Sequence, residues 1–504
     1  MRKKSRRQLG ATLAIIILTI VVTIVSYVLA QFDINGTKTV IVNNVLEGSV
    51  VNVKNIISVD GIRFMISSFT SNIKWFTPLA FLIVALISTG IIESSGILKK
   101  MSNSLRKINK MLFTMIIVFI SIMFVFFNDY GFLILMPLVA LIYKEMGRNP
   151  LLGLLTVFLA TTVAYGSGLF INYNDLALGK LTELAARVSV DVDYTFRLKS
   201  YLYVKIVSSV VFTFLLTYFI EKKIAKKIPS TSSEVEELEL LENETKALKI
   251  SLLFLVLYLG TLIFVLIPNT IGSSLLLDMN EKIYTAKLFS SKSPFNEGAF
   301  MFILLGFTIT SYIYGTLTKK YRDVKDFSSG FAKHFDGIGE MFVLIFFISQ
   351  LFAVLEWTNI GELVAIRLTE TMHNLDFSGL SLVLFLFFIT LIIGLFITST
   401  ITKWEYISPL GVPLFMRSNF TPEFAQTVFR AADGVSKTIT PLFPYYIILL
   451  GFVKKYNRDR ALTLFGTMRL IMPAILVSML FWVIILLGFY MIGLPIGPNS
   501  SATF

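Results

Sequence analysis

The sequence predicts an all-α polytopic membrane protein, with about nine transmembrane helices plus two re-entrant hairpins in an inverted repeat. Two observations carry that prediction. Apolar runs long enough to cross a bilayer alternate with short basic clusters, and one pattern of prolines and polar breaks occurs twice. Pro137 and Pro150 recur 272 positions later as Pro409 and Pro422, and Thr156-Val157-Phe158 with Ala160 is echoed 271 positions later by Thr427-Val428-Phe429 with Ala431. An apolar chain whose two halves each carry their own polar interruption is the signature of a secondary transporter built from structural repeats.

Composition narrows the class. Of 504 residues, 55% are hydrophobic and 15% charged, and 46 are phenylalanine, far from the averages of a water-soluble domain. The phenylalanines read as lipid-facing and packing material. There is no cysteine, and His334 and His373 are the only histidines, so neither a disulfide framework nor a thiolate metal site is available and no metal site is expected. The net charge of +13 does not point to nucleic acid, because the basic residues sit in clusters beside apolar runs, as the positive-inside rule requires. A multi-pass protein of the cell (inner, cytoplasmic) membrane follows.

The elements follow in order. Arg2, Lys3, Lys4, Arg6 and Arg7 precede an apolar run, Leu13 to Phe32, long enough to cross roughly 30 Å of hydrocarbon at about 1.5 Å per residue, so it reads as a retained first helix with a cytoplasmic start. Residues 1–75 form this helix and an outer segment. A first repeat, 76–227, then contains a span ending at Lys99 and Lys100, a hairpin over 111–143 flanked by basic residues at both ends, a broken helix over 151–176 and a span over 201–220. Residues 228–340 hold an acidic stretch, with Glu234, Glu236, Glu237, Glu239 and Glu242 among leucines and valine, read as a surface amphipathic helix or linker. Two connecting spans follow it. The second repeat, 341–490, has a hairpin over 380–416 and a broken helix over 423–449, and starts from the opposite face. Residues 491–504 are a tail without an interpretable signal, as is the loop 270–298.

Each half has two interruptions. They are Asn128-Asp129-Tyr130-Gly131 and Gly166 to Asp175 in the first half, and Thr398 to Trp404 and Arg430 to Pro441 in the second. Glycine and proline open a helix, and the freed backbone groups need a partner other than lipid. Asp129, Asp175, Arg430, Asp433 and Lys437 are charges within otherwise apolar spans, where each costs at least about 2.5 kcal/mol. Arg430 and Lys437 are the candidates for a substrate carboxylate. Asp129, Asp175 and Asp433 are the candidates for a coupling proton or sodium ion. Arg430 and Asp433, three apart on one helix face, could instead form a local ion pair. Trp404, at a hairpin tip, could stack on an aromatic ligand. Asn174 and Ser399, at the breaks, join the candidate substrate set.

These residues resemble a known family. Asn128-Asp129-Tyr130-Gly131, Met136-Pro137-Leu138, Gly147-Arg148-Asn149-Pro150-Leu151 and Leu181-Thr182-Glu183-Leu184 in the first half are similar to the p-aminobenzoyl-glutamate transporter (AbgT) family. So are Lys403-Trp404, Val412-Pro413-Leu414-Phe415-Met416, Arg430 with Asp433, Ile439-Thr440-Pro441-Leu442 and Leu494-Pro495-Ile496-Gly497-Pro498 in the second. The resemblance covers nearly the whole chain. It implies a homodimer of nine-span protomers that import p-aminobenzoyl-glutamate or export sulfonamide-type antimetabolites in drug efflux, coupled to a proton or sodium gradient, with no other cofactor. It also implies functional roles for Asp175, Trp404, Arg430, Asp433, Pro422 and Pro441. The chain departs from the family at Ile401, where members carry a small polar residue, and at Gly168 and Lys437, where they carry asparagine. Lys437 thereby puts an ammonium where a broken helix would otherwise take a bound cation or an amide. The alternative from another class is a membrane-embedded enzyme using intramembrane carboxylates such as Asp129 and Asp175, which would explain neither the repeat nor the hairpins.

Overall fold

In the computed structural model, residues 10–42, 45–228, 242–375, 377–456 and 464–504 are described. The chain opens with α1 (Ala11–Gln31) and then turns into an antiparallel pair, β1 (Asn35–Val42) and β2 (Val45–Asn52), in register from Asn35 opposite Asn52 to Val42 opposite Val45. This ribbon is an addition to the helices anticipated from sequence. Its β-branched residues, Thr37, Thr39, Val40, Ile41, Val50 and Val51 among them, fit a pleated surface better than a helix. A short helix, α2 (Val59–Ser68), follows.

Seven helices make the first half: α3 (Leu79–Ser95), α4 (Ile97–Leu105), α5 (Lys110–Phe124), α6 (Tyr130–Glu145), α7 (Pro150–Val163), α8 (Tyr173–Ser189) and α9 (Leu202–Phe219). A connecting region holds α10 (Glu242–Val265), two short helices α11 (Ser273–Leu276) and α12 (Tyr284–Phe289), then α13 (Pro294–Leu317) and α14 (Val324–Ala332). Most of the acidic stretch read as a linker lies outside the described residues. The second half is α15 (Gly339–Thr358), α16 (Ile360–Asn374), α17 (Gly379–Ile393), α18 (Thr400–Arg417), α19 (Pro422–Ile439), α20 (Pro444–Tyr456) and α21 (Leu464–Ile492).

The same order of helices recurs, and so do its joints. The chain passes from α3 to α4 through Gly96 at φ 76° and from α15 to α16 through Asn359 at φ 60°, with each joint N–H donating to the carbonyl of a glutamate, Glu93 or Glu356. Gly147 at φ 75° and Asn419 at φ 65° each precede a helix opened by proline, Pro150 or Pro422. Proline suits that first position because its missing N–H would lack a helical partner anyway. The proline repeat seen in the sequence is therefore a repeat of turn and helix start.

By length and hydropathy, eight helices among the described residues can cross a membrane, or nine with the pair α3 and α4 counted as one span bent by 72°. The most apolar windows of α1 and α10 are only 11% and 6% buried, which suits helices facing lipid. The interior is the opposite. Every residue of α7 is buried, as is α19 from Pro422 to Thr438. These two helices meet at Gly434, where a Cβ atom would lie 2.6 Å from the carbonyl oxygen of Thr162. Only glycine lets the two backbones approach that closely.

Candidate functional site

The helix begun at α7 stops at Val163, and the chain runs through Ala164 to Asn172 before α8 starts. Asn172 and Asp175 close that start reciprocally. The Asn172 side chain accepts the Asp175 N–H at 3.0 Å, and the Asp175 carboxylate accepts the Asn172 N–H at 3.1 Å. Asp175 thus sits in the first turn of α8, fully buried, where the helix dipole favours a negative charge. In the second half the break is shorter, from Thr440 to Phe443, and Thr440 donates its hydroxyl to the carbonyl of Leu395 at 2.9 Å. Lys437 lies in the last turn of α19, the end of a helix that favours a cation.

Four cations and three carboxylates meet here. Lys205 Nζ is 2.7 Å from Asp175 Oδ2 and donates to the Phe170 carbonyl at 2.7 Å, while Arg430 Nη2 is 3.2 Å from Asp175 Oδ1. Lys437 Nζ pairs with Asp129 at 2.9 Å. Lys403 pairs with Asp433 and also donates to Ser436 Oγ at 3.1 Å, and the Thr400 hydroxyl donates to Asp433 Oδ2 at 2.7 Å. Tyr165 is the hub. Its ring lies 3.6 Å from Lys437 Nζ and 5.2 Å from the Arg430 guanidinium carbon, its hydroxyl accepts from Asn174 Nδ2 at 2.7 Å, and its carbonyl accepts from Arg430 at 3.3 Å. With Asp129, Asp175 and Asp433 against Lys205, Lys403, Arg430 and Lys437, the cluster carries one positive charge more than its carboxylates neutralise.

This geometry corrects two expectations. Arg430 and Asp433 do not pair with each other: they face different partners, Asp175 on α8 and Lys403 on α18. Three positions along a helix make a pair available, but a buried side chain takes the partner that also needs rescue from low dielectric. Trp404 does not face an open cavity in this conformation. It is fully buried, its indole N–H donates to Thr182 Oγ1 at 2.9 Å, and its ring packs 4.6 Å from that of Phe429. Thr182 in turn donates to Gln426 Oε1 at 2.6 Å.

A cavity of about 390 Å³ adjoins the cluster. The turns between α5 and α6 and between α17 and α18 line it, through Asn128, Asp129 and Tyr130 and through Thr398, Ser399 and Thr400, as do both helix restarts, through Tyr173 and Asn174 and through Phe443, Pro444 and Tyr445. An aromatic chamber of about 360 Å³ shares Phe81, Asn128, Tyr130 and Tyr173 with it. A third space of about 420 Å³ shares Thr77, Thr398, Ser399 and Pro444 and reaches Trp75, Glu356 and Glu362.

Of the residues singled out in the sequence, Asp129, Asn174, Asp175, Ser399, Arg430, Asp433 and Lys437 come together at the cluster or its cavity. Pro422 and Pro441 do not. Pro422 is 15 residues from Lys437 on α19, about 22 Å along the axis, and Pro441 lines a separate apolar space against α1. Sequence reasoning missed Tyr165, Thr182, Lys205, Lys403 and Gln426. Lys205 was findable by the same rule that found Lys437, being a charge inside the span 201–220. Among the described residues no three His, Asp or Glu side chains gather as metal ligands.

Comparison with known proteins agrees with this architecture. The sequence profile of the AbgT transporter family matches residues 10–504. The chain is 27% identical to the p-aminobenzoyl-glutamate transport protein of Escherichia coli over 496 residues, 97% of this chain and 93% of that one. It superposes on the Neisseria gonorrhoeae MtrF structure, described as one of a class of antimetabolite efflux pumps, with a TM-score of 0.50, 26% identity and 98% of each chain covered. The Alcanivorax borkumensis YdaH transporter shares the fold at a TM-score of 0.50 and 24% identity, over 97% of this chain and 100% of that one. The alternative of a membrane-embedded enzyme therefore falls away. This multi-pass chain, with the α5–α6 and α17–α18 turns and both of its helix breaks at one charged cluster, is a membrane transporter belonging to the AbgT family.

Proposed function

We propose that the protein is a secondary active transporter of an aromatic, carboxylate-bearing solute of the p-aminobenzoyl-glutamate or sulfonamide-antimetabolite kind. It works in the cytoplasmic membrane by alternating access, as the homodimer that the family resemblance implies, coupled to a proton or sodium gradient. Its two halves are inverted relative to each other, and the hairpins enter and leave on the same face. The observation that carries this reading is the convergence of both hairpin tips and both helix restarts on one cavity beside a cluster with an excess positive charge.

The chemistry fits an anionic aromatic solute. Arg430 Nη1 and Gln426 Nε2 are buried, lie one helical turn apart on α19, and have no acceptor among the described residues. A buried donor left unsatisfied costs about 1–3 kcal/mol, which a carboxylate can recover. The rings of Phe81, Tyr130, Tyr173, Phe295 and Phe300 line the adjoining chamber and suit a flat aromatic group. The cavities run from the cluster toward the Trp75 end of α3 and the Glu356 end of α15, which positive-inside orientation puts at the outer face. Arg430 with Asp175 and Lys437 with Asp129 join one half to the other, so these are the pairs that must exchange when access alternates.

Proteoliposomes containing the purified protein and labelled p-aminobenzoyl-glutamate test the proposal. Under an imposed proton or sodium gradient, movement of the label is expected to exceed that in protein-free vesicles, and Arg430→Ala is expected to remove at least about 90% of it, as loss of a charge-assisted contact of about 1.5–3 kcal/mol implies. Label that moves no faster than in protein-free vesicles under both gradients would discard this solute.

A further inference from the structure

Every carboxylate of the central cluster is already occupied by an ammonium group of the chain itself. Lys437 faces Asp129 at 2.9 Å, Lys205 faces Asp175 at 2.7 Å, and Lys403 faces Asp433. Two of these lysines also take the neutral oxygens that a metal cation would use at a broken helix. Lys205 donates to the Phe170 carbonyl, a backbone group freed by the interruption between α7 and α8, and Lys403 donates to the hydroxyl of Ser436. The ammonium at the freed backbone is therefore Lys205 rather than Lys437, whose partner is the hairpin tip. All three lysine side chains are essentially buried, at 4%, 0% and 0% exposure for Lys205, Lys403 and Lys437.

We propose that these three lysines are resident cations, which close the central carboxylates to sodium and leave a latent sodium site at Asp175 that opens when Lys205 is removed. A covalently held ammonium competes at the effective concentration set by its tether and loses no translational freedom on binding, whereas a sodium ion must be captured from solution and stripped of water. Displacing a lysine would also leave its ammonium buried without a counter-charge, which is strongly unfavourable in a low-dielectric interior. The ligands at Asp175 suit a hard cation once the lysine has gone: the carboxylate Oδ2 and the Phe170 carbonyl both point at the Lys205 Nζ position. Glutamine at 205 is one atom shorter than lysine, carries no charge and brings a carbonyl oxygen of its own.

The inference rests on reading this cluster as the transport site, but its first test needs no substrate. Purified protein in detergent is unfolded thermally in sodium chloride and in potassium or choline chloride at equal ionic strength. The wild type is expected to melt within about 1 °C in all three salts, and Lys205→Gln to gain a saturable, sodium-specific rise of at least about 3 °C that Asp175→Asn removes. Lys403→Gln is the parallel variant at Asp433 should Lys205→Gln fail to fold. Saturable sodium-specific stabilisation of the wild type that Asp175→Asn abolishes would overturn the proposal, as would a folded Lys205→Gln protein indifferent to sodium. In proteoliposomes, replacing sodium by potassium is expected to change wild-type movement of p-aminobenzoyl-glutamate by less than about twofold, well short of the tenfold that 1.4 kcal/mol of sodium linkage would give. A strict sodium requirement would also overturn it. If the label moves in neither salt, the substrate reading fails while the melting experiment still decides the cation question.

Discussion

The two halves repeat one order of helices but repair their interruptions differently. In the first half the break runs from Ala164 to Asn172, and the buried acid comes after it, in the first turn of α8. In the second the break is four residues, Thr440 to Phe443, and the charges come before it on α19, ending with Lys437 in the last turn. An acid at a helix start and a base at a helix end each meet the favourable end of the backbone dipole, for typically about 0.3–1 kcal/mol and up to about 2 kcal/mol when partly buried. The lesson is electrostatic. The first half presents a carboxylate and the second presents cations, so the halves bind each other through Arg430 with Asp175 and Lys437 with Asp129.

The sharpest way to break this arrangement is at Asp175. Replacing it with alanine strands Lys205 and Arg430 together in the interior, and breaking a buried pair from one side costs about 3–5 kcal/mol. Asp129→Ala is expected to cost clearly less, since the Asp129 side chain is 34% exposed and borders the cavity, where water can serve Lys437. Thermal unfolding of the two variants side by side checks the order. Equal losses would mean that the halves are not divided into a buried anchor and a cavity-facing one.

The next largest effect is expected where α7 and α19 cross. Gly434→Val puts branched carbon against the Thr162 carbonyl and the Tyr165 Cβ, at positions where even a first carbon would lie 2.6 and 2.9 Å away. Forcing extra atoms into packed backbone costs about 1–3 kcal/mol or more. Because Tyr165 is the hub between Arg430, Lys437 and Asn174, transport is expected to fall further than stability. A variant that melts lower but moves substrate at the wild-type rate would separate the crossing from the site.

Much of this was legible in the sequence, for identifiable reasons. Charges in apolar spans are costly enough to be read as functional one at a time, and Asp129, Asp175, Arg430, Asp433 and Lys437 all reach the cluster. Helix starts were legible because Pro150 and Pro422 mark the same turn. Pairing was not legible. Arg430 and Asp433 are adjacent on one helix yet bond elsewhere, since which partner lies across a buried gap depends on packing between α8, α18 and α19 that no local spacing records. Lys403 was not legible as a member of the site for the same reason, and Tyr165 because an aromatic beside glycines reads as packing, whereas Lys205, a charge inside an apolar span, was legible by the rule that marks Lys437. The β1–β2 ribbon was not legible because its β-branched residues follow neither a helical period nor a clean alternation.

A smaller contrast lies at the starts of α7 and α19. Asn149 caps its own helix, accepting the Leu151 N–H at 2.9 Å, whereas Thr421 makes no such cap and is held by the C-terminal tail, donating its N–H to Ala502 and its hydroxyl to Ser501. The tail in turn passes so close to Ser200 that a Cβ on Gly497 would lie 2.3 Å from that backbone. Gly497→Ala is therefore expected to pull the tail from both α9 and α19, for about 1–3 kcal/mol, while Asn149→Ala costs about 1 kcal/mol through the lost cap at the start of α7. Hydrogen exchange at the first turns of α7 and α19 distinguishes the two, since of these two helix starts the tail holds that of α19.

The smallest expected effect depends on pH and lies at the basic face. His334, between α14 and α15, is buried, and its Nδ1 lies 3.1 Å from Glu93 Oε2, while Lys144 pairs with the other Glu93 oxygen at 3.2 Å and Lys455 donates to the His334 carbonyl at 2.8 Å. Burial holds the His334 imidazole below the usual histidine range, a pull that the bond to Glu93 only partly offsets. The folded protein therefore binds a proton at this position less readily than the unfolded chain, whose histidine titrates near about 6.5. The sign follows: the stabilisation is complete above that value and is lost as pH falls through it toward the folded value. Wild type is expected to melt progressively lower from pH 7.5 to 5.5, a window set by about one unit either side of the unfolded value, and His334→Asn to show a shallower decline because asparagine carries no proton to gain. A steeper decline in the variant would mean that Glu93, freed from the imidazole, rather than His334 governs the pH response where the ends of α3, α6 and α20 gather.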